Sequence, residues 1–384
     1  MKRVSSGTYE TTAIAGESVR AFVPSPLPPD PPFELSVGLS RKMEKALLAC
    51  GRLDGLSTLL PDADLFLYSY VRREAVLSSQ IEGTQSSLSD LMLFELDEAP
   101  GVPFDDVREV SNYVSAMQYG LKRLAEGFPL SNRLLREIHE QLMDGGRGAE
   151  KSPGEFRRSQ NWIGGTRPGN AQYVPPPPHK VEQCMSELEK FIHRDDIPTL
   201  VKAALAHVQF ETIHPFLDGN GRTGRLLISL MLYEDGVLSQ PLLYLSLYLK
   251  TYRAEYYRLL DVVRSDGDWE SWLHFLIEGI EQTAMGAVDT AHRLLALFTA
   301  DEQRVRDAGV KLGSVYQVYA SFRARPIATI LSVSRSAAIT YPTASKAMDV
   351  LLGLGIAREI TGRSRNRVFA YDKYLAILNE GADL

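Results

Sequence analysis

The sequence predicts a mainly α-helical protein with one small β-hairpin and a C-terminal module that mixes helices and strands. Three observations lead there. Apolar residues recur at helical spacing through most of the stretch from Ser40 to about Arg306. The run from Arg157 to Val174 departs from that pattern, with strand-like residues flanking paired glycines. From Gly309 onward the charge balance changes: ten Lys/Arg stand against five Asp/Glu, about +5, on a body of about −11. The expected divisions are 1–110 (an N-terminal strap and helices), 111–290 (a helical core) and 291–384 (a linker helix and the C-terminal module).

Composition narrows the class. The chain has 384 residues, 23% charged and 44% hydrophobic, as in a water-soluble globular protein, and room for two or three domains. Cys50 and Cys184 are the two cysteines, far apart and without metal-site neighbours, which excludes a disulfide framework and fits a reducing compartment. The first residues lack the apolar run of a signal peptide, and no apolar run reaches the ~18 residues of a membrane span. The expectation is a cytoplasmic protein with no membrane partner.

Residues 1 to about 35 read as an extended strap, because PSPLPPDPPF can be neither helical nor interior to a sheet. From Ser40 the apolar residues Leu47, Leu48, Leu53, Leu56, Leu59 and Leu60 suggest helix with breaks at Gly51 and Gly55. A second helix runs from Asp64 to about Leu77, and Ser78-Ser79-Gln80-Ile81-Glu82-Gly83 follows at its end. On a helix Ser78 and Glu82 share a face, and Gly83 suits a helix stop. Read without context, Glu82 is a solvated residue at a helix end, where the dipole disfavours it. An acidic loop then covers Glu95 to Asp106, and helices follow over Asp106–Ala125 and Asn132–Met143. Asn161–Thr166 and Asn170–Val174 form the expected hairpin. Helices come next over Val181–Ile192 and Thr199–Ile213, the second of which holds His207 as a core residue.

The stretch His214–Arg225, HPFLDGNGRTGR, carries the chemistry. Gly219, Asn220 and Gly221 favour turns, so they are read as a loop that feeds the N-terminus of an apolar helix. Exposed amides there make an anion site suited to phosphate. Arg222 and Arg225 lie three apart on the first turn and can hold phosphate oxygens. Asp218 is a carboxylate suited to Mg²⁺ alongside substrate phosphates. His214 can serve as general base. The bland alternative is a glycine-rich loop that only starts a core helix. Further on, Tyr252, Tyr256 and Tyr257 cluster on a helix, and another helix spans Asp268–Met285 and continues to about Arg306. In the C-terminal module, helices at Ser314–Phe322 and from Tyr341, a mixed segment at Ile327–Ala338, and strands at Ile356–Ile360 and Arg367–Tyr371 are expected.

The stretch resembles the Fic family signature HPFx(D/E)GNGRxxR at every specified position, and Ser78, Glu82 and Gly83 match the family's inhibitory motif (S/T)xxxE(G/N). The resemblance implies a Fic helical core with a β-hairpin flap, and transfer of AMP from ATP to a protein Ser, Thr or Tyr hydroxyl with Mg²⁺ as cofactor. It implies His214 as base and Asp218 as metal ligand. Gly219, Asn220, Gly221, Arg222, Thr223, Gly224 and Arg225 then hold the nucleotide. Glu82 reaches Arg225 and blocks the γ-phosphate position. The flap residues Ile163, Gly164, Gly165 and Thr166 border the nucleotide, and Tyr256 with Tyr257 edges the adenine. Some relatives carry an asparagine seven residues after the second tyrosine; here that position is Arg264. The C-terminal order resembles a winged helix, with Arg363, Arg365 and Arg367 on a basic wing. Alternatives left open are AMP removal at the same site, transfer of another phosphate-containing group, and a DNA-binding regulator. ATP and a hydroxyl-bearing protein, the chain itself included, are the implied partners; a second copy (a homodimer) and DNA are further candidates.

Overall fold

A computed structural model of the chain describes residues 6–14, 16–59, 63–99, 101–308 and 312–381. Leu60, the Leu59 side chain and the Gly309 boundary lie outside what is described.

The N-terminal strap is a hairpin for much of its length. Strands β1 (Gly7–Ile14) and β2 (Glu17–Pro24) pair antiparallel from Gly7↔Pro24 to Ile14↔Glu17. The proline run that suggested a featureless strap begins only where β2 ends. β2 turns Phe22 fully inward, and the Phe22 amide donates to the Val174 carbonyl at 2.9 Å.

Helix α1 (Val37–Leu59) runs through Gly51 and Gly55 without a break. Two interior glycines cost about 1 kcal/mol each relative to alanine, and packing along the long helix α11 (Trp269–Asp307) outweighs that. Leu48 is left exposed on its outer side. Helix α2 (Ala63–Ile81) is buried from Ser69 to Ser79, including Arg72, Arg73 and Glu74. Ahead of the expected acidic loop stands a short helix that the sequence reading did not include, α3 (Leu88–Phe94), opened by a capping box of Ser87 and Asp90.

The core consists of α4 (Phe104–Ala125), α5 (Asn132–Leu142), α6 (Pro178–Ile192), α7 (Thr199–Ile213) and α8 (Asn220–Glu234). Every residue of α7 from Leu200 to Ile213 is buried, so this helix is the central rod. Helices α9 (Ser246–Thr251), α10 (Arg253–Asp266) and α11 close the outer side.

The C-terminal module follows α11 as α12 (Leu312–Ala324), β3 (Ile327–Thr329), α13 (Ile330–Ser336), α14 (Tyr341–Gly353), β4 (Arg358–Glu359), β5 (Val368–Ala370) and α15 (Asp372–Asn379). The sheet order is β3-β5-β4, all antiparallel, and the two C-terminal strands are shorter than expected. The module rests on α2. Tyr374 and Ser69 share a buried hydroxyl–hydroxyl bond at 2.8 Å, and Arg73 donates to the Glu380 carbonyl.

Candidate active site

The end of α7 and the start of α8 are built to meet at one loop. His214 caps α7 in the left-handed region at φ 49°, which stops the helix before Pro215. Gly219, at φ 71°, is the N-cap of α8, which begins at Asn220. Asn220 and Gly221 therefore form the first helical turn, where a loop was expected. The reason is the Asn220 carboxamide. Its oxygen accepts from the Phe216 amide at 2.8 Å and its nitrogen donates to the Phe216 carbonyl at 2.9 Å, closing residues 216–220 into a ring while the backbone turns helical. The Thr223 hydroxyl and amide both return to the Gly219 carbonyl.

A cavity of about 630 Å³ opens over this turn, and its walls include Glu82, Glu109, Lys151, His214, Asp218 and Arg222. Ile163–Thr166, Tyr256 and Tyr257 do not line it.

Glu82 and Arg225 are in contact. Glu82 Oε1 lies 2.7 Å from Arg225 Nη2, while Ser78 accepts from the same guanidinium through Oγ at 2.8 Å and through its carbonyl at 3.0 Å. A Cβ at Gly221 would sit 2.2 Å from Glu82 Oε1, so the carboxylate occupies the mouth of the helix N-terminus and only glycine lets it approach. Burial works to raise the Glu82 carboxyl, and the Arg225 guanidinium overrides it, holding the carboxyl below its usual range.

Burial next to Arg157 lowers the His214 imidazole to about 4, so it is neutral at physiological pH, and its buried Nδ1 has no hydrogen-bond partner among the described residues. Asp218 is half-exposed to the cavity. Its Oδ1 accepts from the Gly219 amide at 2.8 Å and its Oδ2 from Lys151 Nζ at 2.6 Å. Burial works to raise this carboxyl, and Lys151 with the Gly219 amide holds it down. No group of three His, Cys, Asp or Glu ligands occurs among the described residues. A single half-open carboxylate beside a phosphate cradle fits Mg²⁺, which binds through one or two carboxylates and completes its shell with water and substrate oxygens. Arg222 is buried and paired with Glu109 Oε2 at 3.3 Å, and Glu109 Oε1 is held by Arg147 at 2.5 Å.

Other expectations need correcting. The hairpin is a single bridge, Ile163↔Tyr173, with a 3₁₀ turn at Pro168–Asn170. Gly164 and Gly165, at φ 68° and 73°, take the chain out of the extended region straight after Ile163. Tyr256 is fully buried, and its hydroxyl donates to His207 Nε2 at 2.9 Å while His207 Nδ1 donates to the Gly224 carbonyl. Its ring packs against His207 and Trp272 at centroid distances of 5.9 and 6.0 Å, and Tyr257 beside it is 38% exposed. Tyr252 caps α10 from outside the helix.

Several residues of the site carried no sequence signal. His139 donates from Nε2 to the Asp218 carbonyl at 3.0 Å, accepts the Gly154 amide on Nδ1 at 2.9 Å, and stacks on Phe216 at 3.7 Å. Arg157 is buried and donates to the carbonyls of His214, Ile213 and Pro176. Glu211 is buried, its Oε1 has no hydrogen-bond partner among the described residues, and burial pushes its carboxyl up to about 7. Each is an isolated polar residue in sequence, with neither period nor motif to mark it.

Residues 40–122 match the Fic/DOC family N-terminal region and residues 129–232 match the Fic/DOC family. The chain carries Fic/DOC family regions. Among similar proteins is the protein adenylyltransferase Fic of Drosophila erecta, 31% identical over 186 residues, which are 48% of this chain and 34% of that protein. The Drosophila melanogaster protein of the same name is 30% identical over the same span. The chain thus spans about a third of the length of the curated relatives it matches. Among solved structures, a Fic family protein from Desulfovibrio desulfuricans G20 aligns with a TM-score of 0.59 at 20% identity, covering 88% of this chain and 97% of that one. A Fic domain containing signaling protein from Bacteroides thetaiotaomicron aligns at 0.52 and 17%, covering 64% and 95%. These likenesses show a Fic fold.

Outside the Fic core, Arg363 pairs with Glu98 at 2.8 Å and Arg367 with Asp349 at 3.4 Å, so two of the three arginines expected on a basic wing are paired within the chain. Among the described residues no helix is long and apolar enough to cross a membrane.

Proposed function

We propose that the chain is an autoinhibited protein adenylyltransferase that moves AMP from ATP to a Ser, Thr or Tyr hydroxyl of a target protein. The observation that carries this reading is Glu82 seated on Arg225 across Gly221, an acid held where an anion cradle would take a terminal phosphate. The amides of the first turn of α8, with Arg222 and Arg225, hold the phosphate chain. The neutral imidazole of His214 accepts the hydroxyl proton as the hydroxyl oxygen bonds to the α-phosphorus. The bond from that phosphorus to the bridging oxygen breaks, and pyrophosphate leaves. Mg²⁺ held by Asp218 would neutralise phosphate charge when bound. While Glu82 stays on Arg225, the γ-phosphate meets a carboxylate in place of a free guanidinium. Repulsion of ~4 kcal/mol at 4 Å then suffices to misplace the nucleotide by orders of magnitude in rate.

Ionised Glu82 shares the cavity with His214 and could instead position water for removal of AMP from a modified protein. One experiment separates the two readings. ATP labelled at the α-phosphate is offered to wild type, Glu82→Gly and His214→Ala, with cell lysate as target. Strong labelling by Glu82→Gly, weak labelling by wild type and none by His214→Ala is the expected result. Transfer of γ-label would move the attack to the other end of the triphosphate. Label removal that requires Glu82 would establish hydrolysis. The helix, strand, two helices and two strands of the C-terminal module support reading it as a winged helix, and its contacts to α2 support a role close to the inhibitory segment.

A further inference from the structure

We propose that Lys151 is the resident cation of Asp218, which a divalent metal must displace before the nucleotide can be held for reaction. The proposal rests on the reading of Asp218 as the metal carboxylate. Of the two oxygens of Asp218, Oδ1 is engaged by the Gly219 amide, so Oδ2 is the one that remains for a ligand from the cavity. Lys151 Nζ sits on that oxygen at 2.6 Å. The loop bearing it closes on the same atom: a Cβ at Gly148 would lie 3.0 Å from Oδ2.

The loop is fixed and the side chain is not. The Lys151 amide donates to the Gly148 carbonyl at 2.9 Å, the Gly154 amide is held by His139, and Arg136 donates to the Gly154 carbonyl at 2.7 Å. The Lys151 side chain itself is 44% exposed, on a flexible stem that can swing to solvent. A divalent ion on Oδ2 would meet a like charge within bonding distance, so the ammonium and the metal exclude each other. Glu109 cannot readily receive the displaced lysine, since it already holds both Arg147 and Arg222. Lys151 therefore moves toward solvent or toward the phosphates entering the same cavity. The His214–Arg225 motif is thus occupied at two of its charged residues in this structure, by Lys151 on Asp218 and by Glu82 on Arg225.

The test is Mn²⁺ affinity, read by electron paramagnetic resonance, on the full chain with α,β-methylene ATP, which cannot be cleaved at the α-phosphorus. Because the pair is partly exposed, Lys151→Met is expected to tighten Mn²⁺ binding by about two- to fivefold, while Lys151→Arg stays near wild type and Asp218→Asn loses the ion. Unchanged or weaker binding in Lys151→Met, with binding lost in Asp218→Asn, overturns the role of Lys151 and leaves Asp218 as ligand. Undiminished binding in Asp218→Asn overturns both. Matching melting temperatures across the variants show that folding is not the cause.

Discussion

Glu82 follows the last residue of α2, an end whose dipole disfavours a carboxylate, and its partner Arg225 makes up the difference. The pair has a pH signature. The folded value of Glu82 is held below the ordinary carboxyl range, so the carboxylate stays charged and paired from pH 5 to 8. The ratio of transfer rates, Glu82→Gly over wild type, is expected to be constant across that window; a ratio that collapses toward pH 5 would show inhibition lifted by protonation. Replacing Glu82 by Gly also leaves a buried guanidinium with only Ser78 as its acceptor among the described residues. Removing one partner of a buried pair costs about 3–5 kcal/mol, and less here because Glu82 is partly exposed. Phosphate can replace what was removed, so Mg-ATP is expected to raise the melting temperature of Glu82→Gly more than that of wild type. At this scale the sequence was informative where residues cluster. His214, Asp218 and the two arginines stand within twelve positions, and Ser78 with Glu82 keeps a helical interval. His139, Arg157 and Glu109 were silent because each meets the site only after helices distant in sequence have packed.

Elements were legible as types and less so as boundaries. Helices α4, α5, α7, α8 and α11 follow from apolar spacing. The break expected in α1 fails because glycine is a weak penalty against the long face of α11. The hairpin expected at Asn161–Val174 shrinks to one bridge because positive-φ glycines end its first strand. The loop expected at Gly219–Gly221 is half helix because Asn220 closes its own ring. Two variants probe how the elements meet at the site. His139→Ala removes a stacked ring and two backbone partners between α5 and the 216–220 loop, with an expected loss of about 2–4 kcal/mol in urea unfolding. Transfer should fall with it in a Glu82→Gly background. Gly224→Ala would place a Cβ 2.6 Å from Glu211 Oε1 and 3.2 Å from Phe210, between α7 and α8. About 1–3 kcal/mol of overpacking is expected there, and a stability equal to wild type would show that Glu211 moves freely.

For the whole molecule, buried titratable groups set the acid response. His139, His207 and His214 are each lowered by burial to about 4, so in the window from pH 5 to 6 the unfolded chain binds three protons that the folded chain refuses. Stability from these groups falls as pH drops through 6.5. Burial raises Glu74 and Glu211 to about 7, so there the folded chain holds two protons that the unfolded chain lacks. Their contribution is full below about 4.5 and is lost as pH rises through about 7. The balance is close to one proton, so stability should rise by about 1 kcal/mol per pH unit between 5 and 6. With both glutamates changed to Gln the slope should steepen to about 3–4; equal slopes would show that these carboxyls are charged. Arg157 acts on the same scale. One guanidinium ties the chain at Pro176, where the bridged segment ends, to the carbonyl of His214 itself. It works as a common datum for two parts of a machine. On the proposed transferase reading, a target held along that segment would be referenced to the His214 imidazole through these bonds. On that reading a displacement of 1 Å, worth about a hundredfold in rate, is what this joint would resist.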